Sequence, residues 1–308
     1  MISDLKDGNH VKDYFLVKEA VKGVSATGLN YLNILLQDKT GVIEAKKRDI
    51  NQKDIDTFKS GEIVQLTGDV YDYKGKLQVK VFNAELIDKK YADLKNFLVD
   101  SPKPFDELVE RFNYFKNSVK NSDCKAILNA VFEKYYDKYV SFPAATKNHH
   151  EFYHGLLYHS VSMCEMAEAA AKNYENINRD LLITGCLLHD IGKTVELSGP
   201  VATKYTDEGN LLGHLTIGFN IVKDTCDSLN IKSDIPLQLE HMILSHHGKL
   251  EFGACVLPLT REALILSMID DMDAKMMMLD KALADVKPGE YSEKIFGLDN
   301  RSFYKGQE

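Results

Sequence analysis

At 308 residues, 44% hydrophobic and 27% charged, the chain has the composition of an ordinary soluble protein and the length for one large domain or two ordinary ones. No 18-residue apolar run occurs and the first ten residues, MISDLKDGNH, are polar, so neither a membrane span nor a secretory signal is expected. The net charge of −8 divides into 15 Lys+Arg against 14 Asp+Glu in residues 1–90 and 23 against 32 in residues 91–308. A whole-chain basic signature for nucleic acid is thereby excluded, though local patches are not. The five cysteines (Cys124, Cys164, Cys186, Cys226, Cys255) are widely spaced with no CxxC pair. They predict reduced core residues, a cytoplasmic location and no zinc ribbon.

Residues 1–90 alternate in the manner of strands. DYFLVKEAVKGV (13–24) is followed by a turn at SATGLN (25–30). YLNILLQDKTGVIEAKKRDI (31–50) then folds back at Asp38-Lys39-Thr40-Gly41. NQKDIDTFKSG (51–61) predicts one short helix, and EIVQLTGDVYDY (62–73) joins KLQVKVFNAELI (76–87) through Lys74-Gly75-Lys76. Five strands with a helix between the third and fourth is the element order of an OB-fold, although other small barrels share the strand count.

From Tyr91 the apolar spacing becomes three and four. Helices are predicted over YADLKNFLVD (91–100), PFDELVERFNYFKNSV (104–119) and CKAILNAVFEKYYDKYV (124–140), with Ser101-Pro102, Pro104 and Phe142-Pro143 as breaks. Further helices are predicted over 151–173, 179–191, 213–229, 236–246 and 260–285. The intervening SGPVATKYTDEGNLLG (198–213) reads as an extended turn with a short hairpin. The fold class is a multidomain α+β protein: a small β-barrel (1–90), a helical connector (91–142) and an all-α domain (143–308).

Nine of the ten histidines lie between 149 and 247. His159 falls on one predicted helix, His189-Asp190 at the end of another and His214 at the start of a third. His246-His247 close a fourth, and Asp270 sits within a fifth. Each lies among apolar neighbours, where an unpartnered polar group is costly. One such residue alone is more often a satisfied core histidine. Five helices each contributing one residue or pair is how metal sites arise in helical bundles, and imidazole with carboxylate suits Mn, Fe, Mg or Zn. Within CLLHDIGKT (186–194), Gly192 reads as a residue that lets the chain turn after the helix, and Lys193 as either a phosphate contact or a helix-end lysine.

The ordered series His159, His189-Asp190, His214, His246, Asp270 resembles the ligand set of HD-domain metal-dependent phosphohydrolases. The segments HHEFYHGLLYHSVSM, LLHDIGKT, YTDEGNLLGHLTIG, LSHHGKLEFGACVLP and TREALILSMIDDMDAK are similar to the YhaM-type family of bacterial 3′–5′ exoribonucleases. The resemblance covers nearly the whole chain and implies an OB-fold followed by an HD domain. It also implies that His159, His189, Asp190 and Asp270 hold one divalent metal and that Asp190 bridges to a second on His214 and His246. On this reading Asp190 and Lys193 are catalytic, Lys193 contacting a nonbridging phosphate oxygen. His247 protonates the leaving group, binds phosphate or joins the metal. Asp273, one turn from Asp270, is a candidate to support a ligand. Two divalent ions, Mn or alternatively Mg, Fe or Co, are implied, as is a homo-oligomer. His149, His150 and His154 are either substrate-mouth residues or capping and surface residues, and His241 is a core residue or one that supports a ligand from behind.

On the barrel, Tyr31, Lys46, Lys47, Arg48, Tyr71, Tyr73, Lys74 and Lys76 interleave aromatic and basic side chains, the pattern that binds single strands. The alternative is that the tyrosines cap the barrel and the lysines solvate an edge. Three functions remain to compare. They are a 3′–5′ exoribonuclease on single-stranded RNA, with DNA as a further substrate, an HD hydrolase of a small or signalling nucleotide, and a binding module whose HD site is structural. The intact ligand series counts against the last, and the barrel favours the first over the second.

Overall fold

The computed structural model describes residues 1–25, 28–88, 93–146 and 151–307. His149, His150, the middle of the SATGLN turn and the expected domain boundary at Tyr91 lie outside the described residues. Two compact units divide the chain: Met1–Asp100 with Pro200–Ala202, and Ser101–Gly199 with Thr203–Glu308.

The first unit is the expected five-stranded OB-fold barrel. Its strands are β1 (His10–Val24), β2 (Asn30–Asp38), β3 (Gly41–Arg48), β4 (Ile63–Tyr73) and β5 (Lys76–Ile87), with helix α1 (Gln52–Thr57) between β3 and β4. They close in the order β1-β2-β3-β5-β4, with β3 and β5 parallel. Strand β1 pairs with β4 through His10–Leu16 and with β2 from Leu16 onward. A bulge between Val17 and Glu19 lets it bend from one partner toward the other. Both hairpin turns are where the sequence places them. Asp38 closes the first by accepting from Thr40 N at 2.7 Å and Thr40 Oγ1 at 2.6 Å. In the second, Lys74 and Gly75 both take positive φ, 55° and 82°, the conformation that matches strand twist in a two-residue hairpin. Where a helix is predicted over 91–100, the described residues 93–100 hold instead a single 3-10 turn at Leu94–Asn96. Backbone oxygens there accept from the barrel, Asn96 O from Lys39 N at 3.1 Å and Phe97 O from Gln37 Nε2 at 3.0 Å. Such bonds, with Phe97 and Leu98 buried, outweigh a ten-residue helix that is marginal on its own.

The second unit is helical: α2 (Phe105–Ser118), α3 (Ser122–Ser141), α4 (Gly155–Asn173), α5 (Arg179–Leu188), α6 (Lys193–Glu196), α7 (Asp207–Ser228), α8 (Ile235–Ser245) and α9 (Arg261–Leu283). After Arg179 and Asp180, helix α5 carries no charge, and all residues from Leu181 to Gly192 are buried, so it must run through the middle of the unit. Helices α2 and α3 contribute Phe112, Phe115 and Ile127 to the same core as Leu157, Leu187 and Ile243. Each such fully buried side chain is worth about 1.5–3 kcal/mol.

Helix α7 starts at Asp207, six residues before the predicted start at 213. Thr206 accepts from Gly209 N at 2.9 Å, and Asp207 and Glu208 sit favourably in the first turn. The predicted boundary survives as a kink, because Gly213 takes φ 70°. The short hairpin before it is reduced to one bridge, Leu197 with Tyr205. All five cysteines are free, but Cys255 is exposed, against the expectation that each is a core residue.

Candidate metal centre

Helix α5 ends by delivering His189 and Asp190 into the protein interior, where Asp190 is only 2% exposed. The α5 carbonyl at Leu187 is satisfied by Tyr139 Oη at 2.9 Å, which anchors the turn that follows. Gly192 does not act as a turn-permitting residue: its φ of −60° and ψ of −24° suit any amino acid. Its missing side chain matters instead for contact. A Cβ at this position would lie 2.0 Å from His214 O and 2.7 Å from Gly218 N, so α7 can lie against the turn only because residue 192 is glycine. The same approach, with the Gly213 kink, carries His214 to Asp190.

Five imidazoles converge with their Nε2 atoms inward, because each Nδ1 is engaged from behind. The Nδ1 of His189 donates to Cys186 O at 3.0 Å, that of His246 to Ile243 O at 2.8 Å and that of His247 to Phe252 O at 2.9 Å. Carbonyl oxygens only accept, so in the neutral rings the proton is on Nδ1 and Nε2 carries a lone pair. The other two rings are backed by carboxylates, His214 by Glu196 at 2.9 Å and His159 by Asp273 at 2.7 Å. Asp273 also accepts from Ser162 Oγ at 2.5 Å.

Inside this ring of nitrogens lie Asp190 and Asp270. His159 Nε2 is 3.1 Å from His189 Nε2 and 3.2 Å from Asp270 Oδ1. His214 Nε2 is 3.3 Å from His247 Nε2. Asp190 Oδ2 accepts from Lys193 Nζ at 2.7 Å, while Oδ1 stands 3.6 Å from His214 Nε2 and 3.7 Å from His246 Nε2. Among the described residues, Asp190 Oδ1 is the buried side-chain atom with no hydrogen-bond partner. A buried carboxylate oxygen left without a donor, facing imidazole lone pairs, is costly unless a cation lies among them. Two groups have ligand atoms within 4.8 Å of one another: His159, His189 and Asp190, and His214, His246 and His247. Both sets of donors fit a divalent metal ion.

The electrostatics agree. Burial opposes charge on His159, but Asp270 and Asp273 outweigh it and push its pKa up to about 10. That corner therefore holds a positive charge, as proton or cation. Burial also opposes charge on Asp190, yet Lys193 and His189 hold its carboxyl well below the usual range. Burial, with His189 and His247 nearby, holds His246 well below the ordinary imidazole value. Burial and then His214 lower His247 likewise, and a neutral imidazole is what binds metal.

On the barrel, pairing of Tyr31 with Arg48 and of Lys46 with Lys80 brings these four side chains to one face. Lys46, Arg48, Tyr71, Tyr73, Gln78 and Lys80 line a hollow of about 310 Å³ there. Lys46 Nζ lies 5.0 Å from the Tyr31 ring centroid and Lys74 Nζ 5.5 Å from that of Tyr73. Lys47 pairs with Leu32 on the opposite face, and its Nζ donates to Phe82 O at 3.1 Å.

Residues 156–275 match the HD domain family. Over 299 residues the chain is 44% identical to the 3′–5′ exoribonuclease YhaM of Bacillus subtilis, spanning 97% of this chain and 95% of that protein. The protein of the same name from a Geobacillus species matches equally, over 92% of its length. The chain belongs to the YhaM family. Among solved structures, the second OB-fold domain of replication protein A from Methanococcus maripaludis matches at a TM-score of 0.25. It is 23% identical over 29% of this chain and 94% of that one, a likeness too slight to carry an argument.

In this YhaM-family chain, the six residues predicted as metal ligands come together, with His247 and Lys193 beside them. Asp273 backs His159, whereas Asp271 is exposed and pairs with Lys275 at 2.6 Å. His154 holds the N-cap position of α4, though its side chain makes no cap bond; the ring is buried instead, with Nδ1 against Val140 O and stacked on Phe105 at 4.3 Å. His241 accepts from Leu259 N at 2.9 Å. Sequence reasoning missed Glu196. Its one signal was a carboxylate between Val195 and Leu197, an apolar setting in which an acid needs a partner. Among the described residues no helix is long and apolar enough to cross a membrane.

Proposed function

We propose that the chain is a metal-dependent 3′–5′ exoribonuclease that removes nucleotides from single-stranded RNA in the cytoplasm. The observation that carries this activity is the 44% identity with 3′–5′ exoribonucleases over 97% of the chain, barrel and helical unit together. Residues 1–90 hold the strand and 143–308 hydrolyse; of 91–142, expected to connect the two, α2 and α3 are part of the core of the helical unit. A small-nucleotide hydrolase is not favoured, because it has no use for the aromatic and basic face around Lys46, Tyr71 and Tyr73.

Two divalent ions, manganese by preference, would be held by His159, His189, Asp190 and Asp270 on one side and by Asp190, His214 and His246 on the other. His247 joins the second group; with Nδ1–H committed to Phe252 O, it has no proton to give a leaving group through Nε2. When bound, the ions supply Lewis acidity to the scissile phosphate and make a water more acidic. Asp190 turns Oδ2 toward His159 and His189, at 3.8 and 3.3 Å, and Oδ1 toward His214 and His246, at 3.6 and 3.7 Å, so it could serve both groups. Lys193 holds an ammonium 2.7 Å from Asp190, and its role is to stabilise charge on a nonbridging phosphate oxygen. Glu196 accepts from both His214 N and Nδ1, each at 2.9 Å, so it orients that ring and strengthens it as a donor. Glu196→Ala is therefore expected to weaken Mn²⁺ binding by about 10–100-fold, with Glu196→Gln in between, measured by titration calorimetry. The exposed stripe Leu264, Met268, Met272 and Met276 on α9 supports assembly into a homo-oligomer.

The activity is tested with Mn²⁺ and a 5′-labelled oligoribonucleotide beside free nucleotides. Stepwise shortening from the 3′ end is expected. Turnover of free nucleotides alone would move the assignment to the small-nucleotide reading.

A further inference from the structure

His247 is held by the carbonyl of Phe252, and the ring of that same phenylalanine is 54% exposed and belongs to neither core. The segment between them is a built turn. Gly248 and Gly253 take positive φ, 74° and 93°, at its two ends. Within it Phe252 N donates to Lys249 O at 3.1 Å, Gly253 N to Leu250 O at 3.0 Å and Ala254 N to Lys249 O at 3.2 Å. Cys255 N then ties the turn to Leu244 O at 2.9 Å. The turn's own backbone bonds thus hold the Phe252 carbonyl against a histidine of the candidate metal centre. Lys249 Nζ lies 5.0 Å from the ring centroid and 3.4 Å from Glu251 Oε1, placing a cation against one side of an aromatic face. A rigid turn that spends its backbone on a metal-centre histidine and its aromatic ring on solvent is suited to a planar ligand carrying negative charge.

We propose that Phe252 is the stacking platform for the base of the 3′-terminal nucleotide, with Lys249 beside it for the backbone phosphate. This rests on the exoribonuclease reading above, which supplies the single-stranded substrate and its 3′ end. Stacking on an aromatic ring tolerates any base, as stepwise shortening of mixed sequences requires. It also ties recognition of the last nucleotide to the histidine that helps form the second metal group.

The chain has no tryptophan, so Phe252→Trp introduces a sole indole whose emission reports stacking directly. In EDTA, penta-adenylate is expected to quench that emission saturably. In kinetics with Mn²⁺, wild type should discriminate roughly 5- to 100-fold in kcat/KM against a pentamer with an abasic 3′ residue, the range of one base–aromatic stack. Phe252→Ala should discriminate less than about twofold between the two pentamers, while Phe252→Tyr restores wild-type behaviour. The proposal is overturned if wild type and Phe252→Ala treat the two pentamers alike. It is equally overturned if indole emission follows protein concentration rather than nucleotide, which would make this ring a contact between copies. If wild type degrades neither pentamer the exoribonuclease reading fails, and quenching then decides base stacking separately.

Discussion

Asp190→Asn is expected to remove both metal groups at once and to lower the exonuclease rate by about 10³-fold or more, the scale of losing preorganised charge at a reacting phosphate. Asparagine keeps the shape but not the charge. Lys193, its side chain 13% exposed and 2.7 Å from Asp190 Oδ2, is then left charged with its carboxylate gone. Breaking a buried ion pair from one side costs about 3–5 kcal/mol. Part of that loss will be regained if Lys193 sheds its proton. The metal-free variant should therefore be less stable than metal-free wild type in urea, in addition to losing bound metal by elemental analysis. A variant that keeps the wild-type metal content and a rate within tenfold would sink the shared role of Asp190. Metal-free stability equal to wild type would show instead that Lys193 does not depend on this carboxylate.

Gly192→Ala is expected to be nearly as damaging, and for a reason opposite to local intuition. Its backbone is right-handed helical, so alanine there would by itself gain about 0.4–1 kcal/mol by restricting the unfolded chain. Contact reverses the sign. The added methyl would meet His214 O at 2.0 Å, and backbone oxygen cannot swing aside as a side chain would. Helix α7 must retreat, at a cost of about 1–3 kcal/mol or more, carrying His214 away from Asp190. The expected signature is a lowered unfolding midpoint together with weakened binding at the His214, His246 and His247 group, while the His159 group still loads. An alanine variant at least as stable as wild type would refute the close-packing account of this glycine.

Much of the architecture was legible because it is written in local patterns. Alternation over two residues marked β1 to β5, and Asp38-Lys39-Thr40-Gly41 and Lys74-Gly75-Lys76 marked their turns. The residues that gather at the candidate centre, His159, His189, Asp190, His214, His246 and Asp270, were legible for another local reason, polar groups set into apolar helices. The misses share a physical origin. Residues 91–100 have a helical period, yet their carbonyls found better donors on Gln37 and Lys39. The start of α7 was hidden because Gly209 and Gly213 read as turn residues, although Thr206 caps it.

By itself, then, the sequence determined the order of elements, the barrel followed by helices, and the residue types that meet at the centre. These follow from period, caps and turn chemistry, which act over a few residues. Only the tertiary structure decided which nitrogen of each histidine faces inward, since that depends on carbonyls at Cys186, Ile243 and Phe252 and on the carboxylates of Glu196 and Asp273. It likewise decided that Gly192 is needed for the approach of α7 rather than for its own φ, and that Lys46 and Lys47, adjacent in the chain, lie on opposite faces of the barrel. Each of these outcomes depends on a partner distant in sequence, and short-range patterns carry no record of which partner that will be.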